Sequence, residues 1–380
     1  MDSFQQSREM QFIQQRFREF YSKGIPLPSS LHMREFGFGF SKKIDFRHKA
    51  FNSELELKDF ILRELPLFIS YSAATYRFPA SQPMPKKEYL GAELIFDLDA
   101  TYSHENHSPL LCNYCLEKVK GETIKLLEDF LLNDFGFSKG DVKINFSGNK
   151  GYHLHLENEK FMQLSQEARK QLMNYASGFD VDLNSIIVKS RTPETRTTLL
   201  LGPSEKSRGW AGKIYGFARN FISSATLEQL RAYGLGKKDS ERILSEKEFL
   251  LSVMKTGKWG AIKSTEKLWL PLAEKCVSEK RVEIDRQVTI DLARLIRLPD
   301  SLHGDSGLIA KTLSATELQA FSPSKDAVAF SNSKTVKIKA LEHLSFVFGE
   351  QSYEMNAHEE KEVPESAAIF LLCKKKAKLA

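Results

Sequence analysis

The 380-residue chain carries 55 lysines and arginines against 49 aspartates and glutamates, for a formal charge of +6, with 41% hydrophobic and 27% charged residues. This composition excludes a disordered chain, and no run approaches the roughly 18 to 20 apolar residues that span a bilayer. The polar N-terminus lacks a secretory core and four cysteines are too few for a disulfide framework, so a cytoplasmic globular protein is expected, a core with one or two appended modules.

Apolar Phe4, Phe12, Phe17 and Phe20 on a polar background predict a helix over residues 4–22. Beyond Pro26 and Pro28, the segment from Arg34 to Phe40 alternates as a strand, and residues 55–66 read as a helix ending near Pro66. Leu90–Asp99 is the clearest strand, with the continuous apolar run of a buried one. From Leu116 a helix of about two dozen residues is predicted by the spacing of Val119, Ile124, Leu127 and Phe130. Val142–Phe146 and Tyr152–Leu156 read as the strands of a hairpin, followed by a helix over 165–177.

Residues 222–280 change character. Helical patterns rich in lysine and glutamate mark a helical insertion, leaving 1–221 and 281–380 as the core. A strand is expected near Val282, a short helix over Thr289–Arg297 and a last helix over 364–373. The run Lys374-Lys375-Lys376-Ala377-Lys378 reads as a frayed, solvated end. Helices and strands mix without a βαβ rhythm, so the fold class is α+β with a mixed sheet.

Four features carry chemistry. Asp97 and Asp99 end the apolar strand two residues apart and so project from one face. Such a pair suits Mg²⁺ or Mn²⁺, although a bare D-x-D also ends strands simply by facing solvent. The loop Ser147-Gly148-Asn149-Lys150-Gly151, leading to His153 and His155, offers backbone N–H groups, a hydroxyl and a positive charge to an anion. An ordinary glycine-containing hairpin would look the same, and the spacing is not that of a Walker loop. Asp285, Asp291, Arg294, Arg297 and His303 fall in one short stretch. It reads either as a carboxylate and a histidine beside phosphate-binding arginines or as a helix capped by Thr289 with a charged outer face. His104, His107, Cys112 and Cys115 offer four zinc ligands within a module of about residues 101–116, of which Cys-x-x-Cys is the firm half and the histidines could be surface residues. Cys276 and Cys373 read as isolated structural thiols.

Taken together, the chain resembles the small, catalytic subunit of archaeal and eukaryotic DNA primases, its archaeal branch in particular. The resemblance rests on M-R-E-F-G-F at 33–38, Asp97-x-Asp99, Ser147-Gly148-x-x-Gly151-x-His153, Asp285 followed by R-L-I-R-L-P-x-S-L-H-G, and the closing V-P-E-S-A-A-I-F-L-L-C. It implies a primase-type catalytic core in which Asp97, Asp99 and Asp285 hold two catalytic Mg²⁺ or Mn²⁺ ions. Ser147, Gly148, Lys150, His153, Arg297 and His303, with Glu35 and Arg47, would surround the nucleotide. Asn149 stands where relatives often carry a basic residue, which moves the loop's charge onto Lys150.

The same resemblance implies a structural Zn²⁺, a single-stranded DNA template, nucleoside triphosphates as substrates and a heterodimer with a primase large subunit. It also implies work at replication sites on the nucleoid. This chain has no cysteine cluster for an iron–sulfur centre, which by resemblance belongs to the large subunit. Three alternatives use the same residues: a repair or end-joining polymerase of the same superfamily, a non-catalytic zinc-containing nucleic-acid-binding subunit, and a two-metal nuclease. Primer-independent synthesis separates the first from a primase. An Asp97→Ala change without effect would favour the second, and the nuclease makes poor use of the triphosphate-type loop.

Overall fold

The computed structural model describes residues 7–100, 104–105, 110–191, 198–262 and 265–380. It forms two compact units: Met1–Leu127, Phe137–Gln171 and Ile284–Ala380 make the first, and Glu128–Gly136 with Leu172–Glu283 the second.

In the first unit a helix over Arg8–Ser22, capped by the Ser7 side chain, buries Met10, Ile13, Phe17 and Tyr21. Strand β1 (Arg34–Gly39) follows, then β2 (Phe46–Lys49), a helix over Glu54–Glu64 and β3 (Phe68–Tyr76). All nine residues of β3 are buried, yet its sequence, FISYSAATY, is too rich in small and hydroxyl side chains to register as a strand by hydrophobic pattern. Phe36, Phe38, Phe51 and Phe60 pack into one aromatic cluster between the strands and the helices.

The expected strand over 90–99 is two strands. β4 (Tyr89–Ala92) pairs with β3, whereas β5 (Leu94–Asp99) pairs with β7 in another sheet. The change falls at Glu93, whose carboxylate is buried against Arg34 at 2.5 Å and His155 at 3.1 Å. A helix starting at Asn113 runs to Lys125 and continues as π-helical turns over Leu126–Leu132. β6 (Val142–Phe146) and β7 (Gly151–Leu156) form the expected hairpin.

In the second unit β8 (Val188–Arg191) pairs with β9 (Thr198–Leu201). The remainder is helical, and the insertion expected at 222–280 lies wholly inside it. The helices Gly209–Ser224 and Glu266–Lys280 pack through Ile214, Ala218, Ile222, Leu268, Leu272 and Cys276. Trp259 and Trp269 are fully buried there, each indole N–H donating to a backbone carbonyl.

The chain returns to the first unit without the strand expected near Val282. The helix expected at Thr289–Arg297 is also displaced. Asp285 is the N-cap, its carboxylate accepting from the Gln287 N–H at 2.9 Å, and the helix covers Arg286–Ile290. β10 (Leu295–Arg297) then pairs antiparallel with β3, because Leu295 and Ile296 complete a buried sheet rather than a helix face. β11 (Thr312–Leu313) joins β6.

The two larger sheets are one of β10-β3-β1-β2 with β4 on β3 and one of β11-β6-β7-β5. Strands β12 (Thr335–Ala340), β13 (Leu344–Phe348), β14 (Gln351–Met355) and β15 (Glu360–Pro364) lead into a buried helix over Glu365–Cys373. The tail is not frayed. β16 (Ala377–Leu379) pairs with β12, which fixes the lysine run to the fold. Among the described residues no helix is long and apolar enough to cross a membrane.

Candidate active site

A cavity of about 350 Å³ in the first unit is lined from its five-stranded sheet by Ser70, Leu295 and Arg297 and from its four-stranded sheet by Asp97, Asp99 and His153. Strand alternation puts Asp97 and Asp99 on the same face of β5. Their register partners on β7 are His153 and Gly151. Gly151 has no alternative, since a Cβ there would run into the Asp99 carboxylate and the Leu98 carbonyl. Asp285 joins the pair through its backbone, its N–H donating to the Asp97 carbonyl at 2.8 Å.

The electrostatics follow from this crowding. Burial, with the carboxylates of Asp99 and Asp285, pushes the Asp97 carboxyl up to about 7, while Arg294 and Lys43 pull it down. Its Oδ1 is buried without a hydrogen bond, and His153 Nε2 lies 3.5 Å away. Burial, aided by His155, Arg297 and Lys43, holds His153 well below the ordinary imidazole range, so it offers no compensating charge at neutral pH. Lys150 Nζ lies 3.3 Å from Asp99 Oδ2 at the solvent side. Asp97, with its unsatisfied buried oxygen, and Asp99 offer the oxygen donors and unbalanced negative charge that a hard divalent cation takes. Asp285, by contrast, commits one carboxylate oxygen to the Gln287 N–H and is not among the residues lining the cavity.

The hairpin loop supplies the opposite character. Ser147 Oγ accepts from the Gly151 N–H at 3.1 Å, closing the loop. Gly148 has φ +81°, and a Cβ on it would lie 2.8 Å from His303 Cβ. Its carbonyl accepts from Ser306 Oγ at 2.5 Å. Ser147, Asn149 and Lys150 line the cavity with Arg297 and His303 across from them. Arg297 is buried over the Phe68 ring, and burial lowers its guanidinium to about 10, still charged at neutral pH.

Glu35 and Arg47 divide their roles. Arg47 lines the cavity. Glu35 lies behind it, fully buried, and grips the guanidinium with both oxygens at 2.6 and 3.1 Å. It also accepts from the His48 N–H at 3.0 Å and faces Lys87 Nζ at 3.4 Å. Although burial opposes it, these partners hold the Glu35 carboxyl below its ordinary range.

The family model described as DNA primase small subunit matches residues 96–315, from the strand of Asp97 through the turn of His303. The DNA primase small subunit of Methanococcoides burtonii is 35% identical, with 96% of each chain covered. That of Methanothrix thermoacetophila is 33% identical, covering 97% of this chain and 98% of its own. That of Methanocella arvoryzae is 32% identical over 96% of each.

The chain belongs to the DNA primase small subunit family. With membership comes the enzyme class, a DNA-directed primase and nucleotidyltransferase, and the catalytic-subunit function that the motifs implied.

Two further parts of this primase subunit complete the description. His104, Cys112 and Cys115 bring ligand atoms within 4.8 Å of one another, a cluster that could hold a metal ion, with His104 Nε2 3.1 Å from Cys112 Sγ. Cys112 is the residue before the helix that starts at Asn113, and Cys115 lies in its first turn. Burial and the neighbouring Cys112 thiol push the Cys115 thiol up to about 11. His107 lies outside the described residues. Cys276 and Cys373 are buried, one in each unit, as expected of structural thiols.

The cavity also has walls that motif reading did not assign, namely Lys43, Ser70, Asp291 and Arg294. Asp291 and Arg294 lie in the motif-bearing stretch, where their charge was visible but not their direction. Lys43 gives no signal beyond its neighbour Lys42. Asp45 folds its loop back by accepting from the N–H groups of Phe40 and Ser41 at 2.6 and 2.8 Å.

Proposed function

We propose that this primase subunit builds short primers on a single-stranded DNA template from nucleoside triphosphates, with Asp97, Asp99 and Asp285 holding two Mg²⁺ or Mn²⁺ ions. The observation that carries the reading is the crowded pair Asp97 and Asp99, with Asp285 close enough to raise the Asp97 carboxyl, facing a cavity that Lys43, Arg47, Lys150, Arg294 and Arg297 also line. Such ions, when bound, supply Lewis-acid charge to the attacking and leaving oxygens of phosphoryl transfer.

The remaining roles belong to side chains. Lys150, Arg47 and the buried Arg297 neutralise the triphosphate, and the Gly148 turn lets backbone N–H groups approach it. Ser147 holds the loop closed, and His303 packs against Gly148, so the loop is pre-shaped before nucleotide arrives. His153, neutral and opposite Asp97, donates or accepts a hydrogen bond without adding charge. Glu35 is a positioning residue for Arg47. His104, Cys112 and Cys115, with His107, hold a structural Zn²⁺. The working enzyme is a heterodimer with a primase large subunit, acting in the cytoplasm at replication sites. Base pairing selects the nucleotide, and phosphate contacts hold the template with a strong dependence on salt.

Primer synthesis on a single-stranded template with labelled nucleotides and Mg²⁺ or Mn²⁺ tests the proposal, with and without a large subunit. Wild-type protein should start chains without a primer, and the Asp97→Asn/Asp99→Asn variant should not. Extension of supplied ends without initiation would sink the primase mechanism and favour an end-joining polymerase.

A further inference from the structure

The last helix, Glu365–Cys373, is buried along its whole length, and its C-cap is Lys374. That residue is half-buried. Its ammonium passes over the Phe370 ring, 5.6 Å from the centroid, and donates to Asn149 Oδ1 at 3.0 Å. Asn149 stands in the middle of the Ser147–Gly151 loop and lines the cavity. Some 225 residues of chain separate the two partners.

Lysine has only donors, so it fixes which end of the carboxamide faces it. The Asn149 oxygen turns to Lys374, and its N–H groups are what remain for the cavity. The loop is held from a second side by Ser306 on the Gly148 carbonyl. Among the described residues no carboxylate lies within ion-pair distance of the Lys374 ammonium. Burial lowers its ordinary range, with Asp305 acting the other way from a distance. A half-buried cation bonded to a neutral amide is incompletely compensated, and an anion arriving at the loop would complete it.

We propose that Lys374 is a positioning residue for nucleotide binding. It acts through Asn149, orienting that carboxamide towards the phosphates of the incoming nucleoside triphosphate. This inference rests on the reading of the cavity as the triphosphate site. It makes the end of the buried helix part of the nucleotide-binding apparatus.

The test combines the nucleotide dependence of primer synthesis with equilibrium binding of ATP, using the full chain and five variants: Lys374→Met, Lys374→Arg, Asn149→Ala, Lys374→Met/Asn149→Ala and Lys150→Met. Methionine keeps the packing of the aliphatic stem on Phe370. Lys374→Met should raise KM for nucleotide about tenfold, the loss of one charge-assisted hydrogen bond, with kcat within about twofold of wild type. Lys374→Arg should recover most of the affinity, and the double variant should be no worse than Asn149→Ala alone. An unchanged KM in Lys374→Met overturns the inference, as do strictly additive effects in the double variant. If Lys374→Met fails to fold, Asn149→Ala decides from the loop side, and an unchanged KM there overturns it equally. If Lys150→Met also leaves ATP binding unchanged, the triphosphate reading itself fails and this inference falls with it. Normal binding loss in Lys150→Met alone would isolate the failure to Lys374.

Discussion

Asp97 and His153 face each other across adjacent antiparallel strands, with His153 Nε2 3.5 Å from Asp97 Oδ1. The imidazole is held neutral by burial, so the two do not form a working ion pair at neutral pH. Asp97 instead bears the repulsion of Asp99 and Asp285.

A first prediction concerns stability without metal. The Asp97 carboxyl is raised from 3.8 to about 7 in the fold, so the folded state holds its proton more tightly than the unfolded chain. Stability in chelator should therefore fall as pH rises from about 4 to about 7, by up to about 4 kcal/mol, and stay low above that. Urea unfolding across pH checks this. Asp97→Asn should flatten the profile and be the more stable protein at pH 8 in chelator, with a smaller gain from Mg²⁺. Its activity should drop by about 10³-fold, roughly 4 kcal/mol of transition-state stabilisation. A wild-type profile rising from pH 4 to 7 would contradict this account of the site.

Glu35 should matter for folding as much as for activity. Glu35→Ala leaves Lys87 buried without its carboxylate and frees Arg47 from its clamp. A loss of about 3 kcal/mol or more in chemical denaturation is expected, because an uncompensated buried charge costs more than the pair contributed. Adding Lys87→Met should restore much of the stability but not the nucleotide affinity that depends on Arg47.

The Cys112 and Cys115 cluster should carry about one zinc per chain by elemental analysis. Removing the metal with a chelator should lower the melting temperature and make it more sensitive to pH, since metal binding displaces thiol protons. Cys115→Ser should lose both zinc and stability, whereas primer synthesis measured well below the melting point should change far less than in Asp97→Asn.

Gly148→Ala tests the loop. The positive φ and the 2.8 Å approach to His303 Cβ leave no room for a methyl group. The variant should lose about 1–2 kcal/mol of stability or shift the loop, and KM for nucleotide should rise accordingly. An unaffected KM would show that the backbone at Gly148 does not meet substrate.

Much of the site was legible because its residues are crowded into short motifs with strict chemistry. The parity of Asp97 and Asp99 on a strand, the glycine spacing around Lys150 and the His303 stretch all survive without knowledge of the fold. What escaped was long-range. Nothing local marks FISYSAATY as the central strand of a sheet, because its small side chains are buried by neighbours distant in sequence. Thr289 looked like a helix cap, but Asp285 took that position and the apolar Leu295–Arg297 segment was claimed by β3. Lys374 looked like solvated tail for the same reason, since both the strand that pins it and its partner Asn149 are remote.

At Glu93 the chain leaves one sheet and enters another: Ala92 pairs with Ala74 and Leu94 with Leu156. Both ends of this step are anchored, so the stretch from Ala92 to Asp99 obeys a parity rule for insertions and deletions. Adding or removing one residue between Glu93 and Asp97 turns both aspartates to the opposite face. A two-residue change restores the face but slides Asp97 off His153 on β7. Length variation among descendants of this chain is thus confined to either side of the step, and a deletion scan through it should alternate in severity with odd and even counts.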